Sequence, residues 1–130
     1  MNEPYMEQFL NHMEFLGYTI TREEKFARAR HEKNSNLVAQ PMKAGVLFSC
    51  FFSHGAAGIE DRDGYLKAIN IANRRVLVAR FYTDKDEDLV IESWYPGLYE
   101  KAAFGSFIDI YNRDIILGVG KETGLFKFLK

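Results

Sequence analysis

The sequence contains little cysteine and no excess of either charge, and both shortages exclude classes of function. Cys50 is the only cysteine, so the chain can form neither an internal disulfide nor a metal cluster that needs several thiolates. Lysine and arginine number 17 against 18 aspartate and glutamate residues, whereas nucleic-acid-binding domains usually carry a basic excess. We therefore expect no nucleic-acid partner.

Long apolar runs and targeting signals are also missing. The longest predominantly apolar run, residues 46–52, is far too short to cross a bilayer. Residues 1–6 lack the basic and then apolar pattern of a secretory signal, and the sequence has no Asn-x-Ser/Thr acceptor site. The expectation is a cytoplasmic protein that has no membrane partner.

The composition is that of a globular protein. Apolar residues make up 47% and charged residues 27% of the 130 positions, close to the averages of folded domains. A chain of this length can bury one core, and the sequence shows no repeat, linker or low-complexity stretch. We expect a single domain over residues 1–130.

Hydrophobic periodicity predicts the secondary structure. Apolar residues recur at three- and four-residue steps in three segments, which are predicted as helices: residues 5–16, 64–74 and 98–117. Segments rich in β-favouring residues are predicted as strands: residues 26–32, 37–40, 46–54, 76–83 and 89–95. The predicted fold is α+β in the order α-β-β-β-α-β-β-α, with helices packed on one face of an antiparallel five-stranded sheet.

Local signals add detail to this plan. The strand at residues 26–32 is predicted to lie exposed at a sheet edge. Pro41 is predicted to end the strand at residues 37–40. Residues 55–64 are predicted as a loop in which Asp61 or Asp63 accepts hydrogen bonds from the first free amides of the next helix.

No motif has the spacing of a catalytic or metal-binding site. The acidic turn at residues 84–88 lacks the glycine and glutamate that a calcium loop needs at its sixth and twelfth positions. Residues 118–123 do not match a phosphate-binding loop, and Gly118 is instead predicted to end the last helix. Cys50 and His54 would lie about 13 Å apart on one strand, too far for His54 to act as the base of a Cys50 nucleophile. The sequence thus predicts a non-enzymatic protein with no catalytic residue, metal ligand or cofactor.

The most informative signal is a group of aromatic residues on the predicted hairpin. If the strand face that carries Phe81 packs against the helices, alternation turns Arg80, Tyr82 and Trp94 outward, together with Phe51 of the central strand. Tyr, Trp and Arg dominate the energetics of protein interfaces. We interpret Phe51, Arg80, Tyr82 and Trp94 as partner-binding residues. The alternative is that other elements cover them, or that the register differs by one residue, so that they belong to the core.

The second half of the chain resembles a known family. Its segments LKAINIANR (66–74), ARFY (79–82) and LVIES (89–93), with the acidic turn and a long helix after Gly97, are similar to the YbjN-like bacterial proteins, described as sensory transduction regulators. The resemblance implies a domain similar to type III secretion chaperones, which are typically non-enzymatic homodimers that bind segments of other proteins. It implies no catalytic residue.

Two hypotheses of function follow. The first is a chaperone-like protein-binding or regulatory module, a homodimer in the bacterial cytoplasm whose sheet face or helix groove holds a partner protein or peptide. The alternative is a small-molecule-binding protein or enzyme with a pocket between sheet and helices, where His54, Asp61 and Tyr65 would lie near one strand end.

Overall fold

The computed structural model describes residues 4–130, so the first three residues of the segment tested for a secretory signal lie outside the described part. The elements in chain order are α1 (Met6–Phe15), β1 (Thr19–Arg22), β2 (Ala27–Arg30), β3 (Leu37–Met42), β4 (Gly45–Phe52), α2 (Ala56–Glu60), α3 (Arg62–Arg75), β5 (Arg80–Thr83), β6 (Leu89–Tyr95) and α4 (Lys101–Val119). Two short 3₁₀ turns follow, Lys121–Thr123 and Phe126–Phe128. No helix within residues 4–130 has the length and apolar character of a membrane span.

The strands form one sheet in the order β1-β2-β3-β4-β6-β5. The pairs β1–β2, β2–β3, β3–β4 and β5–β6 are antiparallel. The predicted α+β class is confirmed, but the predicted count of five strands is wrong because the sheet has six. The additional strand is β1, whose sequence Thr-Ile-Thr-Arg is short and mostly exposed and therefore carries little hydrophobic signal.

Two other predictions about the sheet are wrong. The segment predicted as an edge strand is β2, which pairs with β1 on one side and β3 on the other, so β1 is the edge. Pro41 does not close β3, because the strand continues to Met42 and Pro41 stands opposite Val46. Pairing of β3 with β2 ends at Ala39, and a proline is tolerated where one side of a strand has no partner.

The helices also differ from the prediction in detail. The predicted loop at residues 55–64 contains helix α2, and α3 begins at Arg62. The predicted cap is confirmed: the Asp61 side chain accepts a hydrogen bond from the Gly64 amide at 3.0 Å. Gly118 does not end the last helix, since α4 continues to Val119.

The chain divides into two compact units. Unit 1 consists of the residues up to Cys50 together with Ser93–Asp109, and unit 2 consists of Phe51–Glu92 and Ile110–Lys130. Strands β4 and β6 and helix α4 contribute residues to both units. The single domain remains a prediction.

Aromatic side chains form the core of unit 1. The Phe9 ring of α1 contacts Phe104 of α4 and Tyr95 of β6 edge-on, with centroid distances of 5.1 and 5.4 Å. Phe48 of β4 contacts Phe104 from the sheet side at 5.6 Å. Offset and edge-on ring pairs of this kind add stability beyond the area that they bury. Together these contacts pack α1 and the first part of α4 on one sheet face.

Unit 2 closes its core with the C-terminal tail. Phe128 is buried and stacks on Tyr65 of α3, with ring centroids 5.7 Å apart. The tail backbone is also paired, because the Gly55 amide donates to the Phe128 carbonyl and the Lys130 amide donates to the Ser53 carbonyl, both at 2.8 Å. The tail is therefore part of the fold of unit 2.

The buried phenol of Tyr65 predicts an alkaline loss of stability. Its hydroxyl donates to the Glu87 carbonyl at 3.0 Å, and burial, followed by the charges of Asp88 and Glu87, raises the pKa of Tyr65 from 10.0 to about 12. The unfolded chain loses this proton near pH 10 and the folded chain keeps it, so the stabilisation is present below pH 10 and is lost as the pH rises to 12. We expect the free energy of unfolding to fall by about 2–3 kcal/mol across this window.

The matching variant is Tyr65→Phe, which has no proton to lose. Urea unfolding of both proteins between pH 9 and 12 should show a shallower decline for the variant, on top of a pH-independent cost of about 1 kcal/mol for the lost hydrogen bond. Equal slopes in the two proteins would contradict the assignment to Tyr65.

Candidate functional site

The four residues interpreted as partner-binding all lie at the surface. The exposed fraction is 56% for Phe51, 40% for Tyr82 and 45% for Trp94, and 72% for the Arg80 side chain. Phe51, Arg80 and Tyr82 belong to unit 2 and Trp94 belongs to unit 1. Each unit therefore has its own candidate surface.

In unit 2 a buried carboxylate holds Arg80 and Tyr82 in place. The β5–β6 register sets Arg80 directly opposite Glu92, whose side chain is only 6% exposed. The Arg80 Nε donates to Glu92 Oε1 at 2.7 Å, and its Nη2 contacts the same oxygen. The guanidinium carbon lies 5.8 Å from the centroid of the Tyr82 ring, within the range of a cation–π contact. Arg80 is thus fixed between a buried acid and an exposed aromatic ring.

The Glu92 carboxylate also acts on the Tyr82 hydroxyl. Burial raises the pKa of Tyr82, and a hydrogen bond to Glu92 raises it further. An aromatic ring that is both exposed and tethered loses little further conformational freedom when a partner covers it.

In unit 1 the Trp94 indole is held in one position although almost half of it is exposed. Its Nε1 donates to the Met42 carbonyl at 2.9 Å. The ring also lies directly against Gly45, because a Cβ added there would come within 2.7 Å of Nε1. Only glycine allows this approach of the indole to the β3–β4 turn. Lys43 and Ala44 form that turn with φ of 54° and 63°, as a two-residue hairpin connection of the favoured twist requires.

The three residues named for a small-molecule site each have a structural partner in unit 2. His54 Nδ1 lies 2.7 Å from Asp88 Oδ1, Asp61 caps α3 and Tyr65 bonds the Glu87 carbonyl. Hydrogen bonds from the His54 backbone amide and ring lower the pKa of Asp88. The pair ties the end of β4 to the β5–β6 turn. Among residues 4–130, no cluster of three His, Cys, Asp or Glu side chains is arranged to hold a metal ion.

Unit 1 also has a shallow groove between α1 and the start of α4. It encloses about 350 Å³ and is lined by Gln8, Asn11, His12, Phe15, Tyr99 and Lys101. His12 Nδ1 lies 2.8 Å from the Tyr99 hydroxyl. Burial and then the charge of Lys101 lower the pKa of His12, so the imidazole is neutral at neutral pH. The sequence did not connect these two residues, because 87 positions separate them.

Sequence comparisons and fold comparisons give different answers. No protein-family model matches the chain, and no curated protein matches its sequence. Solved structures do match its fold. The structure of YbjN from E. coli, provisionally described as a transcription regulator, is similar with a TM-score of 0.74 at 13% identity, covering 96% of this chain and 95% of that one. The resemblance to the YbjN-like proteins is thus confirmed at the level of the fold.

Two further solved structures share the fold. An uncharacterised protein from Methanothermobacter thermautotrophicus has a TM-score of 0.66 at 15% identity, covering 88% of this chain and 94% of that one. A chain of the heterodimeric complex ExoU–SpcU from the type III secretion system of Pseudomonas aeruginosa has a TM-score of 0.56 at 16% identity, covering 90% of this chain and 97% of that one. At these identities the likeness concerns architecture, and function has to be argued from the surfaces.

Proposed function

We propose that this chain is a non-enzymatic protein-binding module and that Phe51, Arg80, Tyr82 and Trp94 contact the partner. The observation that carries the proposal is the fixation of exposed aromatic rings: the Tyr82 ring lies against the Arg80 guanidinium, which is bound to Glu92, and Trp94 is bound to the Met42 carbonyl. Interface hot spots are enriched in Trp, Tyr and Arg, and side chains that are already ordered before binding reduce its entropic cost.

The fold comparisons support this class of function without naming a partner. One similar structure is part of a two-protein complex, and another is described provisionally as a regulator. The proposal extends to a chaperone-like homodimer in the bacterial cytoplasm. Large apolar side chains that stay exposed in both units, such as Phe15 and Phe126, are the kind of surface that a second protein covers.

Affinity capture with a double variant tests the proposal. We expect the wild-type chain to retain a protein partner from a bacterial lysate and the Tyr82→Ala/Trp94→Ala variant to lose it. The matched control is Leu77→Ala/Leu98→Ala, which also removes one exposed apolar side chain from each unit, with exposed fractions of 81% and 80%. The captured protein, once purified, should bind the double variant at least about thirtyfold more weakly, since each hot-spot truncation costs more than about 1 kcal/mol.

Two results would contradict the proposal. One is a partner that the wild type and the Tyr82→Ala/Trp94→Ala variant retain equally. The other is a wild-type dimer in light scattering that becomes a monomer on this double substitution, with no other protein captured. The second result would make these residues a self-association interface.

A further inference from the structure

Unit 1 has a sheet face that points away from its helices. Phe48 of β4 contacts Phe104 and Phe107 of α4, each at 5.6 Å, so its neighbours in β4 project from the opposite face. Tyr95 of β6 also contacts Phe107, at 5.3 Å, which turns Trp94 to that opposite face. The residues on it are therefore available to a partner.

The strand register identifies the members of this face. Arg28 of β2 stands opposite Val38 of β3, and Val38 stands opposite Ser49 of β4. Residues two positions away along each strand share the face. These side chains are named the open sheet face: Arg28, Arg30, Val38, Gln40, Met42, Leu47, Ser49 and Trp94.

The open sheet face has a cationic end and an apolar end. Arg28 pairs with Glu23 at 3.4 Å, but both side chains are largely exposed and such pairs are weak. Within residues 4–130, Arg30 has no carboxylate at ion-pair distance. At the other end Trp94 and Met42 are exposed and Leu47 is half-buried. Gln40, which stands opposite Leu47, is the polar side chain among them. The surface therefore matches a partner that offers acidic residues at one end and apolar residues at the other.

The backbone around the apolar end restricts the form of that partner. Strands β3 and β4 each have a neighbour on both sides, so a partner strand cannot pair with them. A single extended segment laid across the face would leave its own N–H and C=O groups unpaired against apolar side chains. A helix satisfies these groups internally and presents only side chains.

We propose that the open sheet face binds an amphipathic helix of another protein. Its apolar stripe covers Val38, Met42, Leu47 and Trp94, and its acidic residues meet Arg28 and Arg30. Four residue steps separate Met42 from Val38, which stands opposite Arg28, and Arg30 lies two steps further along β2. The total span is about 20 Å, which a helix of about 13 residues covers. This inference rests on the proposed function and specifies the partner. A second copy of the face fits less well, because it would bring arginine against arginine or against the apolar end.

The only tryptophan in the sequence makes the test direct, because Trp94 lies in the proposed site. The probe is an 18-residue helical peptide without aromatic residues, with a leucine stripe and glutamates at one end. A matched peptide carries lysine in place of each glutamate. We expect the glutamate peptide to cause a saturable change in Trp94 emission and the lysine peptide to bind at least about tenfold more weakly, because like charges oppose association.

Charge reversal on the protein should reverse its preference between the two peptides. The Arg28→Glu/Arg30→Glu variant is expected to bind the glutamate peptide about tenfold more weakly and the lysine peptide more tightly. The control Lys67→Glu/Arg74→Glu makes the same change of charge on exposed positions of α3 in unit 2 and should leave the preference unchanged. Circular dichroism verifies that each variant is folded.

Three outcomes would overturn the inference: no saturable change in emission, equal binding of both peptides, or an unchanged preference in the Arg28→Glu/Arg30→Glu variant. If one of these outcomes occurs but a native partner is captured through Tyr82 and Trp94, this inference fails while the proposed function stands. If the peptides bind and the preference reverses as expected but no native partner depends on Tyr82 and Trp94, the proposed function fails instead.

Discussion

Replacing Asp114 with alanine is expected to lower the free energy of unfolding by about 3 kcal/mol or more. Asp114 lies in α4 and is only 4% exposed. Its Oδ2 accepts three consecutive amides, from Leu77 at 3.0 Å, Val78 at 2.7 Å and Ala79 at 3.0 Å. Removal of the carboxylate takes away the acceptor that these three partly buried N–H groups share, and an unsatisfied group costs about 1–3 kcal/mol.

Two companion variants separate this effect from general damage to α4. Asp109→Ala removes an exposed aspartate from the same helix and should change stability by less than about 0.5 kcal/mol. Asp114→Asn keeps one carbonyl oxygen and should recover part of the loss. Urea unfolding followed by circular dichroism measures all three. A loss below about 1 kcal/mol for Asp114→Ala would show that water replaces the carboxylate at these amides.

Asp114 also explains why β5 begins later than the sequence predicted, at Arg80 instead of Val76. The apolar residues of segment 76–79 predict a strand, but the amides of residues 77–79 bond the Asp114 carboxylate, and β5 starts only at Arg80. The two partners are 35 to 37 residues apart, so no local pattern connects them. A backbone segment whose donors are already bonded cannot extend the strand.

The sequence predicted the faces of the strands better than their ends. On the hairpin, alternation correctly placed Phe81 on the buried face, because period-2 patterning survives any choice of boundary. The same rule placed Tyr82 and Trp94 at the surface. Strand β1 was missed since four mostly exposed residues carry no such pattern.

What fixes the candidate residues could not be read from the sequence. Glu92 looks like an ordinary outward residue of β6, yet it is buried and anchors Arg80, whose guanidinium lies over the Tyr82 ring. Gly45 looks like a turn residue, yet its missing side chain makes room for the Trp94 indole. Both roles depend on cross-strand register, which an isolated sequence specifies only when a turn or a buried face fixes it.

Glycine to alanine substitutions at two positions of α4 are expected to have opposite effects. A Cβ at Gly118 would overlap the ring of Phe81, which is 2% exposed. A Cβ at Gly105 would meet only the His12 ring at an ordinary 3.7 Å. Alanine favours a helix by about 1 kcal/mol over glycine, so Gly105→Ala should stabilise by about 0.5–1 kcal/mol. Gly118→Ala should destabilise by about 2 kcal/mol, because the strain of overpacking exceeds the gain in propensity.

The double variant Gly118→Ala/Phe81→Leu tests whether the Phe81 ring is the cause. Leucine at position 81 leaves space beside the helix, so Gly118→Ala should cost at least about 1 kcal/mol less in that background than in the wild type, a coupling that a thermodynamic cycle measures. Gly105→Ala lies in the other unit and should add to Phe81→Leu without coupling. An equal cost of Gly118→Ala in both backgrounds would show that the C-terminal part of α4 disfavours alanine for a reason other than the approach of Phe81.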